Sequence, residues 1–312
     1  MAIPASTFET YDSIGIREDL ADIIYNIAPT ETPFMSNVGK GTSKGTYHEW
    51  QVDDLEAAVD NKAIEGDDAG AGAITPTVRV GNYTQIADKV VSISGSDLSA
   101  DNAGRASEMA YQMAKRGLEL KRDMETTLIG TNKARASGSS GVARELGSLH
   151  SWITTNINEA GDAVASAGDG TTARTDGSPR AFTEAMLTDV IDQVWVNGGN
   201  PSVIMCGANQ KRVITGFTGN ATKYKEVDDK KIVNAVDVYV SDYGELMVVP
   251  NRFMRTSEVF VLQPDMFSVD FYRDFSTHDL AKTGDSEKKQ MLVEYTLKSN
   301  QEKASGAIYD LS

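Results

Sequence analysis

With one cysteine, three histidines and no long apolar run in 312 residues, this chain lacks the raw material of several functions. A lone Cys206 cannot close an internal disulfide and fits a reducing compartment. Apolar runs of a few residues are too short to span a bilayer. The opening Met1-Ala2-Ile3-Pro4-Ala5-Ser6 has neither the basic region nor the apolar stretch of a secretory signal, so synthesis in the cytoplasm is expected. Basic charge is also scarce, with 30 Lys and Arg against 45 Asp and Glu and a net charge of −15. Affinity for nucleic acid comes largely from clustered Lys and Arg, so no overall phosphate-gripping footprint is present. The acidity instead favours solubility and resists nonspecific adhesion to DNA.

The groups that carry chemistry are equally sparse. Nucleophilic catalysis needs a Ser, Cys or Lys beside a base, and His48, His150 and His278 stand in no such setting. Gly138-Ser139-Ser140-Gly141 is a flexible loop and not a strand-to-helix nucleophile elbow. Cys206 ends an apolar strand, which marks a buried structural thiol. His48-Glu49 lacks the second histidine of a zinc helix, and Gly168-Asp169-Gly170 has no following lysine for a phosphate loop. Asp67-Asp68 and Asp228-Asp229 lack the alternating oxygen ligands of a calcium loop. Trp50, Trp152 and Trp195 are scattered, as core or interface anchors are. No catalytic residue, cofactor or metal ligand is assigned, and no enzymatic activity is expected.

What the chain has is pattern. Over residues 17–28, Leu20, Ile23, Ile24 and Ile27 keep the i, i+3, i+4, i+7 spacing of an amphipathic helix, stopped by Pro29. In Pro29-Thr30-Glu31-Thr32-Pro33-Phe34 two prolines favour an extended path, leaving Phe34 and Met35 to plug into something. Residues 46–52 alternate as a strand, with His48, Trp50 and Val52 on one face. Residues 77–94 hold one or two more strands through Val78, Val80, Ile86, Val91 and Ile93. Between them, residues 53–73 carry seven acids, one lysine and no periodicity. The plain reading is a long hairpin arm with an acidic tip. A two-stranded ribbon is marginal alone in water, so a chain that keeps one lays it on something, often a neighbouring subunit.

From about residue 102 to 130 the pattern is helical. Ala106, Ala110, Met113, Gly117, Leu120, Met124 and Leu128 form a stripe, Ser99 or Asp101 can cap its start, and Gly130 falls where a left-handed terminal residue is expected. Its length would be about 40 Å. Lys115, Arg116, Lys121 and Arg122 mix with Glu119, Asp123 and Glu125 on the other face, a solvated or intersubunit salt-linked surface. Further helices are expected over 183–195 and 209–217, strands over 202–206, 258–262, 267–271, 290–297 and 304–309, and a hairpin over 236–249. The fold class is mixed α+β.

These elements carry a resemblance. The run Ile27-Ala28-Pro29-Thr30-Glu31-Thr32-Pro33-Phe34, the strand around Trp50 opening a long arm, the helix over 96–128, and the ending Gly284-Asp285…Lys289-Gln290…Glu294-Tyr295-Thr296-Leu297…Asn300…Lys303-Ala304…Gly306 together resemble the major capsid proteins of tailed bacteriophages with the Hong Kong 97 capsid fold, in the branch typified by phage SU10. The resemblance covers nearly the whole chain. It implies an N-terminal arm over 1–38, an extended loop over 39–94, and a peripheral domain over 95–179 that holds a spine helix over about 97–131. It further implies an axial domain over 180–255, with strands returning to the peripheral domain over 256–312.

By that resemblance the chain self-assembles through pentamers and hexamers into an icosahedral head shell around a double-stranded DNA genome, which it does not bind by sequence. Scaffold, portal and decoration proteins are the further partners it implies, and the location is the virion. Phe34, Met35, Trp50, Val52, Val78 and Val80 are the expected arm residues, while Met109, Met113 and Leu120 are expected to hold the spine helix to the body. Three alternatives remain at this point: a cellular nanocompartment shell, marked by co-purifying enzyme cargo; a cytosolic hydrolase, marked by a monomer with a concave pocket; and a tail or baseplate structural protein, which a long central helix with a long arm fits less well than a coat.

Overall fold

The structure, a computed structural model, describes residues 31–66, 68, 70, 72, 74–100, 107–217 and 238–312. The helix expected over 17–28, Pro29 and Thr30, Asp67, Ala106 and the Asp228-Asp229 pair lie outside the described residues.

The elements in chain order begin with α1 (Pro33–Asn37), β1 (Gly39–Thr42), β2 (Tyr47–Val52), β3 (Val78–Tyr83) and β4 (Gln85–Ser94). Then come α2 (Gly95–Leu98), α3 (Glu108–Glu125), β5 (Ile157–Asn158), α4 (Glu184–Val196), β6 (Val203–Cys206) and α5 (Ala208–Gly216). The chain closes with β7 (Val238–Ser241), β8 (Gly244–Pro250), β9 (Val259–Leu262), β10 (Phe267–Asp279), β11 (Ser286–Ser299) and β12 (Gly306–Ile308).

Among the described residues the strands form a four-stranded sheet in the order β1-β10-β11-β4, a six-stranded sheet in the order β5-β12-β9-β6-β8-β7, and a ribbon of β2 with β3. The six-stranded sheet separates two cores, and its central strands show why. Val203 and Met205 point into one core while Ile204 and Cys206 point into the other. In β9, Phe260 and Leu262 share the first core and Val259 and Val261 the second. A strand covered on both faces has no polar side to display, so both segments are unbroken apolar runs. On one face α4 and α5 pack through Leu187, Val190, Val194 and Ile214. On the other, the end of α3, the strands of the four-stranded sheet and the root of the ribbon close the larger core around Trp152, Phe260 and Tyr295. Gly306, in the sequence ending noted above, lets α4 sit hard against β12: a Cβ there would meet Val190 Cγ1 at 2.5 Å and the Asn156 carbonyl oxygen at 2.8 Å.

Four expectations need correction. The end of the run 29–34 expected to be extended is not: Pro33 and Phe34 open one helical turn, Pro33–Asn37, because Pro33 at its first position has the right φ and no N–H to waste. The spine helix starts at Glu108, not near 97–102. Ser107 stays extended (φ −151°, ψ 119°) and its hydroxyl accepts from the Ala110 amide at 3.4 Å, so the cap is Ser107 and not Ser99, while Asp101 lies outside the described residues. Upstream, Ser94 caps the separate turn α2. Eighteen residues make α3 about 27 Å long, and a π turn, Thr126–Gly130, extends it. Third, Gly130 is not left-handed. Glycine is needed there because a Cβ would run into the carbonyl oxygen of Phe253. Finally, β10 and β11 run to Asp279 and back from Ser286, well past the expected segments, since the added residues lie half-buried or exposed and lack a clean alternation.

Candidate intersubunit surfaces

The ribbon is rooted firmly in its own chain. Trp50 packs on Trp152 with ring centroids 5.3 Å apart, and Val52 and Val80 lie against the main core. Tyr47 packs on Tyr83 with ring centroids 4.6 Å apart and planes tilted by 40°, and the Arg135 guanidinium sits 5.5 Å from the Tyr47 ring while donating to the Gly81 carbonyl. Asn82, fully buried in mid-strand, accepts from the Gly147 amide at 2.8 Å and donates to the Leu297 carbonyl at 2.8 Å. A buried amide with partners on two other segments fixes the register of the root. Below it, the Glu294 carboxylate accepts from Thr84 and Arg144 at 2.6 Å and from Arg273 at 2.7 Å.

Beyond the Val52–Val78 pair the character changes. Among the described residues of the 53–77 segment there is no strand or helix, and Leu55, Val59, Ile64 and Ile74 are 99%, 78%, 77% and 93% exposed. Val78 itself is 61% exposed. Asp54 is the last tether, accepting from Lys303 Nζ at 2.6 Å and Gln301 Nε2 at 2.8 Å. Scattered exposed aliphatics on a folded body are ordinary, but several on one unsupported segment mark a surface made to be covered.

The remaining expected residues sit inside the subunit. Phe34 is fully buried and Met35 nearly so. Their amides donate to the Glu125 carboxylate at 2.7 and 3.0 Å, and Asn251 Nδ2 donates to it at 2.7 Å. A buried carboxylate on α3 thus caps the first turn of α1 from 90 residues away. Burial raises the Glu125 pKa above 4.5, and the three donors pull it back only in part. Leu120 faces the main core, while Met109 and Met113 form a small satellite cluster with Val91, Ile93 and Leu98 that pins α3 to β4. Lys89 of β4 reaches Asp123 of α3 at 2.6 Å.

Sequence reasoning missed a buried polar knot. His150 and Glu258 are paired and both buried, with His150 edge-on to Phe260 and 6.1 Å from the Tyr309 ring. Arg255 joins Glu258 at 3.2 Å, and Arg174 binds Asp310 at 2.9 Å while lying 4.0 Å over Tyr309. Burial works against the Arg174 charge, but Asp310 outweighs it and holds the guanidinium above its usual pKa. Enclosed in this way the histidine meets no substrate. Its sequence neighbours carry no signal, because its partners come from residues 258, 260 and 309. Trp195 is 54% exposed and stacked on Tyr243 at 4.8 Å, at a corner of the α4 side of the six-stranded sheet.

A two-faced sheet, a long helix and a protruding ribbon in one α+β subunit define a class. The chain aligns over 97% of its length with 98% of a chain in the capsid asymmetric unit of cyanophage A-1(L), at TM-score 0.66 and 12% identity. It aligns over 96% with 98% of a chain from Microbacterium phage Oxtober96, at TM-score 0.63 and 10% identity. At such identities the likeness shows the fold, which is the phage capsid fold of Hong Kong 97 type.

The family follows from sequence. The model of the SU10 major capsid protein matches residues 3–312, and the chain belongs to that family. The major capsid protein of Escherichia phage Phieco32 is 28% identical, over 99% of this chain and 98% of that one. The protein is therefore a phage major capsid protein: a structural shell subunit of the virion that associates with copies of itself, and not an enzyme. The nanocompartment and hydrolase alternatives gain no support. No helix among the described residues is long and apolar enough to cross a membrane.

Proposed function

We propose that shell closure depends on the 53–77 arm reaching over a neighbouring subunit. The observation that carries this is the set of four highly exposed aliphatics, Leu55, Val59, Ile64 and Ile74, on a segment whose described residues form no strand or helix, beyond a rigidly rooted ribbon. In this reading residues 1–38 act as the N-terminal arm and 39–94 as the extended loop. Residues 95–179 and 256–312 form a peripheral domain, and 180–255 an axial domain that gathers copies around five-fold and six-fold axes as pentamers and hexamers.

Trp50, Val52 and Val80 stiffen the arm at its root, Val78 at its departure, and Phe34 and Met35 anchor the N-terminal arm. Met109, Met113 and Leu120 hold the spine helix. Each repeated contact can be modest, because the closed lattice is multivalent. The net charge of −15 suits a container that encloses double-stranded DNA without gripping it. Scaffold, portal and decoration proteins are the partners such a shell would use.

The test is to express the chain alone and follow it by size-exclusion chromatography with light scattering, then electron microscopy. Closed particles, or rings of five or six, are the expected result. Particles that form unchanged after deletion of residues 60–72 would remove the arm from the mechanism.

A further inference from the structure

A groove of about 880 Å³ opens where the described chain begins, between α1, β1, α3 and β10. Met35, Phe271 and Phe275 supply its apolar wall, with the two phenylalanine rings 6.2 Å apart and half-buried. Lys40 and Lys121 line it, together with Asp274, and the Lys121 ammonium stands 6.0 Å from the Phe275 ring. Among the described residues neither lysine has a carboxylate partner within an ion pair. Strand β1 is the edge of its sheet, and among the described residues no further strand covers this side.

We propose that residues 17–28 of the same chain seat in this groove, with Leu20, Ile23, Ile24 and Ile27 against Met35, Phe271 and Phe275. Three observations carry the assignment. The i, i+3, i+4, i+7 stripe is a one-sided apolar surface that must be covered to be stable. The reach is short: Thr32 already lines the groove, and Ala28 is four residues upstream, about 13 Å of extended chain at most. The charges fit as well. By sequence spacing Asp19 would flank the apolar stripe, one helical step from Ile23, so this seating would bring it toward Lys40 and Lys121, which have no carboxylate partner among the described residues. On the same spacing Glu18 and Asp22 would fall opposite the stripe. The inference concerns how the N-terminal arm is held and does not depend on the intersubunit arm reading.

The experiment uses the full chain with Ile24→Cys and Phe275→Cys, oxidised and then resolved by non-reducing electrophoresis and peptide mass mapping. The one native thiol, Cys206, is buried and stays silent. A 24–275 disulfide within single chains is expected. A disulfide between two chains would mean that a neighbour's segment fills the groove, and a folded protein with no link would mean that this segment does not; either overturns the proposal.

Replacement of Phe275 can itself disturb β10, so a second variant leaves the groove intact. Ile23→Asp with Ile24→Asp should speed amide exchange across residues 33–36 and 271–275 tenfold or more relative to wild type. Unchanged exchange there overturns the proposal. Both readouts are taken on dissociated subunits as well as on particles, so they fail or succeed separately from shell formation.

Discussion

Replacing Leu55, Val59, Ile64 and Ile74 together by serine tests the arm without shortening it. These side chains are between 77% and 99% exposed, so they contribute almost nothing to the subunit's own fold. If a neighbour covers them, each supplies roughly 1.5–3 kcal/mol on full burial, or about 6–12 kcal/mol per arm as an upper bound. The cost of ordering the arm is of similar size but is common to both proteins, so it cancels in the comparison. Even a third of the apolar term, about 2–4 kcal/mol, raises the concentration needed for assembly roughly thirtyfold to several hundredfold.

The assay is a titration of subunit concentration followed by light scattering, paired with thermal unfolding of the dissociated subunit. Assembly should shift by at least thirtyfold while the midpoint of subunit unfolding stays within a degree or two. Equal assembly thresholds would refute the idea that these residues are covered in the shell. A large loss of subunit stability would show instead that they pack on their own body.

Four further outcomes are expected. Glu125→Ala leaves the Phe34 and Met35 amides and the Asn251 amide without their acceptor, at roughly 1–3 kcal/mol for each buried orphan, measured by urea unfolding of the subunit. Because burial raises the Glu125 pKa, its contribution is complete below the unfolded value near 4.5 and fades as pH climbs through the folded one; the stability of wild type relative to non-titrating Glu125→Gln should therefore fall as pH rises above the unfolded value.

Glu258→Ala strands a buried partner of His150 and Arg255 and should cost about 3–5 kcal/mol, whereas Glu258→Leu combined with His150→Phe should cost less than the sum of its single changes in a double-mutant cycle. Burial pushes the Cys206 thiol up to about 12, so native protein should resist alkylation at pH 8 and label only on unfolding, by mass spectrometry; rapid native labelling would place the thiol at the surface.

Much of the architecture is legible in local pattern. Val203–Cys206 and Val259–Leu262 are buried on both faces and contain no polar residue, so their strands stand out. The 47–52 strand is legible because Trp50 on one side meets Trp152 and the core while Glu49 and Gln51 on the other meet water, whereas 78–83 runs from an exposed start to a buried end. The arm is visible as an acidic stretch with no period. The start of α3 is not, since Ser99, Asp101 and Ser107 are all competent caps and only the packing of Met109 and Met113 on β4 selects the last. The outer halves of β10 and β11 are equally hidden: their pairing, with register shifts between Phe271 and Ser276, is held by the partner strand more than by composition.

What the sequence by itself determined is therefore the class of chain: an acidic, cysteine-poor α+β subunit with a spine helix, a long arm and a terminal motif that belongs to capsid proteins. These are properties of neighbours along the chain, set by periodicity, caps and turn residues. Tertiary structure alone decided what distant residues do to one another. It set Glu125 under the amides of Phe34 and Met35, enclosed His150 with Glu258, made Gly130 a point of contact with Phe253, and left an apolar groove beside the first described residues. A carboxylate, an imidazole and a glycine look alike in sequence whether solvated or buried, because their energies depend on the dielectric and the donors around them, and those are supplied by segments as far as 210 residues away.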